Sequence, residues 1–329
     1  MSKSKPGTEY DKQPATSNGR PVGEHGHSPS GKEGSATKVM EPQHNAAQPR
    51  LVAWEVTRNC NLNCVHCRAS AGRGPYAGEL STIKCLEILD QIAGVGKPIV
   101  ILTGGEPLLR EDIYLLAAYG TGLGLRMVMA TNGTLVTPEV AKKIKSSGIQ
   151  RVSLSLDGPN AATHDQFRQV PGAFEGAIRG LEELKREGIE FQVNTTITRH
   201  NVNQARAMLD LAVKLGAAAH HIFLLVPTGR AKDLVDQEID AEQYEKVLHW
   251  FYEMRSEVPI HLKATCAPHF YRVLRQEAHQ RGEKVDYATY GLDQGMPGRH
   301  GLLLHLPRRR CAALRVPGDR EWGFEAGHL

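Results

Sequence analysis

From Leu51 onward, short apolar runs alternate with segments whose apolar residues recur at helical spacing. The runs are "LVAWEVT" (51–57), "PIVILTGG" (98–105), "LRMVMATNG" (125–133), "RVSLSLDG" (151–158), "EFQVNTTIT" (190–198) and "HIFLLVPTG" (221–229). Apolar runs this short predict strands covered on both faces. Between them the spacing predicts helices over Glu79–Ile92, Pro138–Ser147, Gly172–Glu187 and Asn203–Leu215, with Gly148, Gly188 and Gly216 where C-caps belong. Such alternation predicts an α/β fold whose parallel sheet curls into a barrel or partial barrel, with ligands at the C-terminal strand ends. A polar or Gly-rich cluster does follow each strand: the segment from Cys60, then "GGEP" (104–107), "TNG" (131–133), "SLDG" (155–158), "TTIT" (195–198) and "VPTGR" (226–230).

Composition changes the picture at the N-terminus. Residues 1–49 are rich in Lys, Ser, Gly, Pro, Gln and His with almost no apolar clustering. They cannot bury enough surface to offset ordering entropy, so a disordered polar tail is expected, with His25, His27 and His44 solvated. That segment lacks the apolar stretch of a secretory signal, and no run reaches the ~18 apolar residues of a membrane span. The expectation is a cytoplasmic protein without membrane contact. A formal net charge of +4 on scattered Lys and Arg argues against a nucleic acid partner. Six cysteines, half of them in one loop of a 329-residue chain, argue against a disulfide framework.

That loop, "CNLNCVHC", carries Cys60, Cys64 and Cys67 at C-x3-C-x2-C spacing. A structural zinc site closes its shell with four ligands, and His66 should point away from a metal gripped by Cys64 and Cys67. Three thiolates on a four-iron cubane leave one iron without a protein ligand, which gives a reason to stop at three. A zinc loop completed by a distant residue remains the alternative.

With "GGEP" and "SLDG" behind it, the loop resembles the radical S-adenosylmethionine superfamily, over about residues 50–295. The resemblance implies a (β/α)6 partial TIM-type barrel over 50–265, and a [4Fe–4S] cluster held by Cys60, Cys64 and Cys67. It also implies S-adenosylmethionine chelated to the open iron, a 5′-deoxyadenosyl radical, and no catalytic side chain beyond cluster and cofactor. "TGGEP" matches the superfamily's methionine-amino motif, so Gly104, Gly105, Glu106 and Pro107 are cofactor candidates, as is Asn132, with Glu106 either adding an acceptor or orienting the turn. Ser155 and Asp157 match positions near the ribose and carboxylate. Arg168 matches an arginine aimed at the cofactor carboxylate, a surface ion pair being the alternative. Thr195 and Thr198 fall to the ribose region, and Leu225 and Val226 resemble the adenine-contacting strand end.

Longer segments, among them "LVAWEVTRNCNLNCVHCRA", "PYAGELS" and "HLKATCAPHFYRVLRQ", resemble the branch of that superfamily acting on iron porphyrins. This implies oxidative decarboxylation of two propionates of Fe-coproporphyrin III to vinyls in haem biosynthesis, fed by a low-potential donor of flavodoxin or ferredoxin type. Arg230, Lys263, Arg272 and Arg275 are candidate cations for the carboxylates, and His220, His221, His261 and His269 candidate iron contacts. Peptide modification, processing of sirohaem derivatives, and an inert iron–sulfur binder are the competing readings.

The end of the chain departs from that pattern. Residues 266–295 read as the helical start of a C-terminal extension, and relatives carry a second, cysteine-bound [4Fe–4S] cluster there. Residues 296–329 hold only Cys311, show little strand or helix logic, and read as an irregular, truncated tail. Codons that can encode the segment from Met296, taken one nucleotide later, can spell C-L-A-G-T-G-F-C-F-I-S, which resembles the second-cluster segment. A frameshifted C-terminus is therefore expected.

Overall fold

The computed structural model describes residues 49–283 and the backbone of 301–305. The expected polar tail through residue 48, and the expectations for 284–300 and 306–329, lie outside the described residues. The strands are β1 (Leu51–Thr57), β2 (Ile99–Gly104), β3 (Arg126–Thr131), β4 (Arg151–Ser155), β5 (Glu190–Ile197), β6 (Ala219–Leu224), β7 (His261–Thr265) and β8 (Gly301–His305). The helices are α1 (Thr82–Val95), α2 (Ile113–Gly122), α3 (Pro138–Ser146), α4 (Ala161–Arg168), α5 (Ala173–Arg186), α6 (Ala205–Leu215), α7 (Ala241–Glu253) and α8 (Phe270–Gln280). All strands join one sheet in the order β7-β6-β5-β4-β3-β2-β1-β8, and every neighbouring pair is parallel. Among the described residues the end strands β7 and β8 do not pair, so the sheet is an unclosed, partial barrel.

Local chemistry accounts for the boundaries. Ser81 accepts a hydrogen bond from the Lys84 backbone N–H and so starts α1 at Thr82, three residues after the expected start. Gly216 caps α6 in the left-handed conformation, as the sequence implies. Two strands exceed the expected six. β7 alternates His261, Lys263 and Thr265 with buried Leu262 and Ala264, too short a pattern to read as a strand alone. β8 lies in the segment that shows little strand logic, and its backbone runs beside β1 from Leu51↔Gly301 to Glu55↔His305.

Alternation divides the labour of the central strands. Val52 and Trp54 of β1, Val100 and Leu102 of β2, Met127 and Met129 of β3, and Val152 and Leu154 of β4 face the helices in one buried core. Each such side chain contributes roughly 1.5–3 kcal/mol by leaving water. A second core joins β6 and β7 to α6, α7 and α8. The opposite, concave face carries Thr103, Ala130 and Ser155, which line a cavity. Stability therefore rests on the outer face, which leaves the inner face for chemistry. No helix among the described residues is long and apolar enough to cross a membrane.

Candidate active site

The loop after β1 is held from four directions. Cys60 N–H donates to Gly72 O (2.8 Å), closing the loop on itself. Asn63 and Val65 N–H donate to Arg168 O (3.3 Å) and Phe167 O (3.1 Å), at the end of α4. Gly105 and Glu106 N–H donate to Thr57 O (2.7 Å) and Asn59 O (2.8 Å), bringing the turn after β2 underneath. Finally, Arg230 N–H donates to Cys67 O (3.0 Å), while its guanidinium donates to Cys64 O (2.9 Å) and Ala71 O (2.5 Å).

Three close approaches need glycine. A Cβ on Gly104 would stand 2.3 Å from Thr57 O, and one on Gly105 would stand 2.3 Å from Asn59 O. A Cβ on Gly229 would stand 2.2 Å from Arg68 O and 2.4 Å from Cys67 O, at a φ of +60°. The obstructing atoms are backbone, so the loop itself must move. Gly229→Ala is expected to cost about 1–3 kcal/mol and to lower iron uptake on reconstitution. An unchanged urea midpoint and unchanged iron content would show that this approach does not hold the loop.

Around a cavity of about 250 Å³ the structure gathers Cys60, Cys64, Cys67, Gly104, Gly105, Asn132, Ser155 and Arg168 from the expected set. Glu55, His66 and Arg68 also line it. Nothing in the sequence marked Glu55 or Arg68; their pairing as an ion pair depends on how the loop folds back over β1. Cys60 and Cys64 are buried and Cys67 half-buried. Burial pushes the Cys60 thiol up to about 11, so a metal that binds there must displace its proton. Ala71 N–H points at Cys67 Sγ (3.3 Å) and Arg168 Nη1 at Cys64 Sγ (3.4 Å), donors that suit thiolate sulfur.

The other expected residues do not line this cavity. Glu106 is fully buried and accepts from Leu108 N–H (3.1 Å), Thr131 Oγ1 (2.8 Å) and Asn132 N–H (2.8 Å). It therefore ties the end of β2 to the end of β3 and shapes the turn in which Pro107 starts a short 3-10 helix. Asp157 is fully buried, ion-paired with Arg168, and accepts from Thr196 N–H (2.8 Å). Burial alone would raise the Asp157 pKa, but the Arg168 charge, His66, His164 and the Thr196 N–H together outweigh it and hold the carboxyl below its ordinary range. Burial likewise opposes the Arg168 charge, and Asp157 with Cys64 more than restores it. Arg168 is thus an interior cation rather than a surface ion pair. Buried Thr195 donates to Leu156 O (2.7 Å), and buried Thr198 accepts from His200 N–H (3.2 Å). Leu225 and Val226 follow β6, with Val226 exposed.

Among the described residues no group of three His, Cys, Asp or Glu side chains converges as a single-ion site. Thiolates on different irons of a cubane stand farther apart than ligands sharing one ion, so three thiols that line one cavity without forming a single-ion site suit a cluster. The donor set, the glycine turn beneath it and the sulfur-directed N–H groups all fit such a group.

Residues 54–212 match the radical SAM superfamily. The chain belongs to that superfamily, whose cofactors are an iron–sulfur cluster and S-adenosylmethionine. The chain is 55% identical over 244 residues to the "AdoMet-dependent heme synthase" of Nitratidesulfovibrio vulgaris, covering 74% of this chain and 66% of that one. It is 50% identical over 245 residues to the protein of that name from Methanosarcina barkeri, covering 74% of this chain and 70% of that one. The chain thus spans less than two thirds of the length of the first of these relatives. In fold it resembles Streptococcus suis SuiB bound to S-adenosylmethionine, with a TM-score of 0.61 at 16% identity over 78% of this chain and 58% of that one.

Proposed function

We propose that this chain is a radical enzyme that converts two propionates of Fe-coproporphyrin III to vinyl groups in haem biosynthesis. Cys60, Cys64 and Cys67 would hold a [4Fe–4S] cluster, and the Gly104–Gly105 turn with Asn132, Ser155 and Arg168 would contact S-adenosylmethionine. When bound, this pair supplies a one-electron reductive cleavage that yields a 5′-deoxyadenosyl radical able to take a hydrogen atom. Each vinyl then requires the loss of one hydrogen atom, one carbon dioxide and one electron from a propionate arm, with the electron leaving to a one-electron acceptor. A low-potential flavodoxin- or ferredoxin-type donor would feed the cleavage.

The chain's own residues prepare the site. Glu106 and Asp157 fix the strand ends, the loop clamp of Arg230 keeps the thiols on one wall, and the helix-covered outer face keeps bulk water from that side. The observation that carries the reading is the convergence of three thiols, the glycine turn and Arg168 on one cavity, in a chain 50–55% identical to proteins named for haem synthesis.

Anaerobic reconstitution with iron and sulfide, followed by dithionite, S-adenosylmethionine and Fe-coproporphyrin III, tests it. The expected result is 5′-deoxyadenosine together with porphyrin products lighter by one carbon dioxide and two hydrogens per converted arm. Cofactor cleavage without any change in the porphyrin mass would move the substrate to another class.

A further inference from the structure

Of the four cations the sequence nominates for substrate carboxylates, three are engaged. The Arg230 guanidinium lies on the carbonyls of Cys64 and Ala71. Arg272 holds Glu245 and Gln276. Arg275 donates to Tyr271 O within its own exposed helix face. Lys263 differs from all three. It projects from β7 on the concave face, opposite buried Leu262 and Ala264. It is half-buried, and among the described residues it makes no hydrogen bond or ion pair. Burial pushes its pKa below the usual lysine value, with nothing offsetting that push. A desolvated ammonium without a counter-charge is costly unless something else supplies the charge.

Among the described residues, its surroundings lack that counter-charge too. Thr265 Oγ1, two residues along the same face, is buried without a hydrogen-bond partner. His221 lies opposite Lys263 in the register of β6 and β7. The Gln192 amide, which also donates to Asn194 Oδ1 (3.0 Å), stands 3.0 Å from His221 Nδ1. Nδ1 therefore accepts, and Nε2 carries the proton. Burial first, then Lys263, His261, His220 and Arg151, push His221 down to about 3, so the ring is neutral and adds no counter-charge for Lys263.

We propose that Lys263, with His221 Nε2–H and the Thr265 hydroxyl as donors, forms a subsite for one carboxylate of the substrate. The inference rests on the porphyrin reading above. The row Ser155–Asn194–His221–Lys263 runs straight across β4 to β7, and Ser155 lines the thiol cavity. Three strand spacings put Lys263 about 14 Å along the sheet from that wall. This span suits a flat macrocycle with acid arms on its rim, one arm anchored at Lys263 while another reaches the cavity.

The test uses the reconstituted full chain as wild type, Lys263→Gln and Lys263→Arg, titrated with Fe-coproporphyrin III and with its tetramethyl ester by Soret absorbance. Losing one charge-assisted hydrogen bond should weaken binding of the acid by about 10- to 100-fold in Lys263→Gln. Lys263→Arg should recover most of that loss, and the ester should bind both variants alike. Equal binding of the acid by wild type and Lys263→Gln would overturn the subsite while leaving the porphyrin reading intact. If wild type binds no Fe-coproporphyrin III, that reading fails, and benzenehexacarboxylate then decides the subsite. Protection of Lys263 from reductive methylation by this polycarboxylate, read by peptide mass spectrometry, would uphold it, and absence of protection would overturn it.

Discussion

Cys64→Ala is expected to leave the reconstituted chain nearly devoid of iron and unable to cleave S-adenosylmethionine. Cys64 is buried on the cavity wall with Arg168 Nη1 at 3.4 Å from its sulfur, and Arg230 donates to its carbonyl. The loop backbone would survive the substitution, because the Arg230 clamp acts on carbonyls. What disappears is one of three thiolates, and a cubane bridged to only two protein sulfurs is easily lost. Cys85 is the internal control. It is buried in the main core on α1, away from the cavity, and behaves as a small apolar side chain. Cys85→Ala should keep the wild-type iron content, about four per chain, with a modest loss of stability. Iron counting and 5′-deoxyadenosine formation read both variants. Iron retained in Cys64→Ala, with cleavage intact, would remove Cys64 from the ligand set.

The second large effect is on folding. Asp157→Ala should destabilise the chain by about 3–5 kcal/mol, because it strands the Arg168 guanidinium as a buried, unpaired charge. Both side chains are interior, and the carboxylate also receives Thr196 N–H, so the pair ties α4 to the ends of β4 and β5. The pH dependence follows from the depressed Asp157 pKa. Its stabilisation is present above the ordinary Asp value of about 3.9 and is lost as pH falls through the lower folded value. Urea unfolding at pH 7 measures the loss, and the acid-side slope should be shallower in Asp157→Asn than in wild type. A change under about 1 kcal/mol would mean that Arg168 finds another counter-charge.

How much of this is legible in the sequence depends on the range of the interactions. The thiol loop and the two-glycine turn are legible because each fixes its chemistry within a few residues after a strand. For Glu106 the sequence leaves two roles open, an acceptor or a brace of the turn, and the roles of Asp157 and Thr195 are not legible. A polar residue at a strand end can face a ligand or brace its neighbours, and the choice depends on partners such as Thr131 and Thr196, 25 and 39 residues away. Arg230 shows the extreme case, since its carbonyl partner at Cys64 is 166 residues distant. It reads as a cation for substrate until the fold turns it onto the loop. β7 escapes apolar patterning for a related reason: the polar face that hides it is the face that carries Lys263.

The place of β8 has a consequence in time. β1 pairs with β2 some 48 residues later, at Leu51↔Ile99, but with β8 only at Leu51↔Gly301, 250 residues later. A ribosome adding roughly 5–20 residues per second leaves the outer edge of β1 without this partner for about 12–50 s. During that interval the edge offers a row of open amides and carbonyls to any passing strand. Birth of this protein is therefore its most exposed moment, and slowing translation or raising synthesis rates per cell should increase misassembly at β1 before any other edge that closes locally.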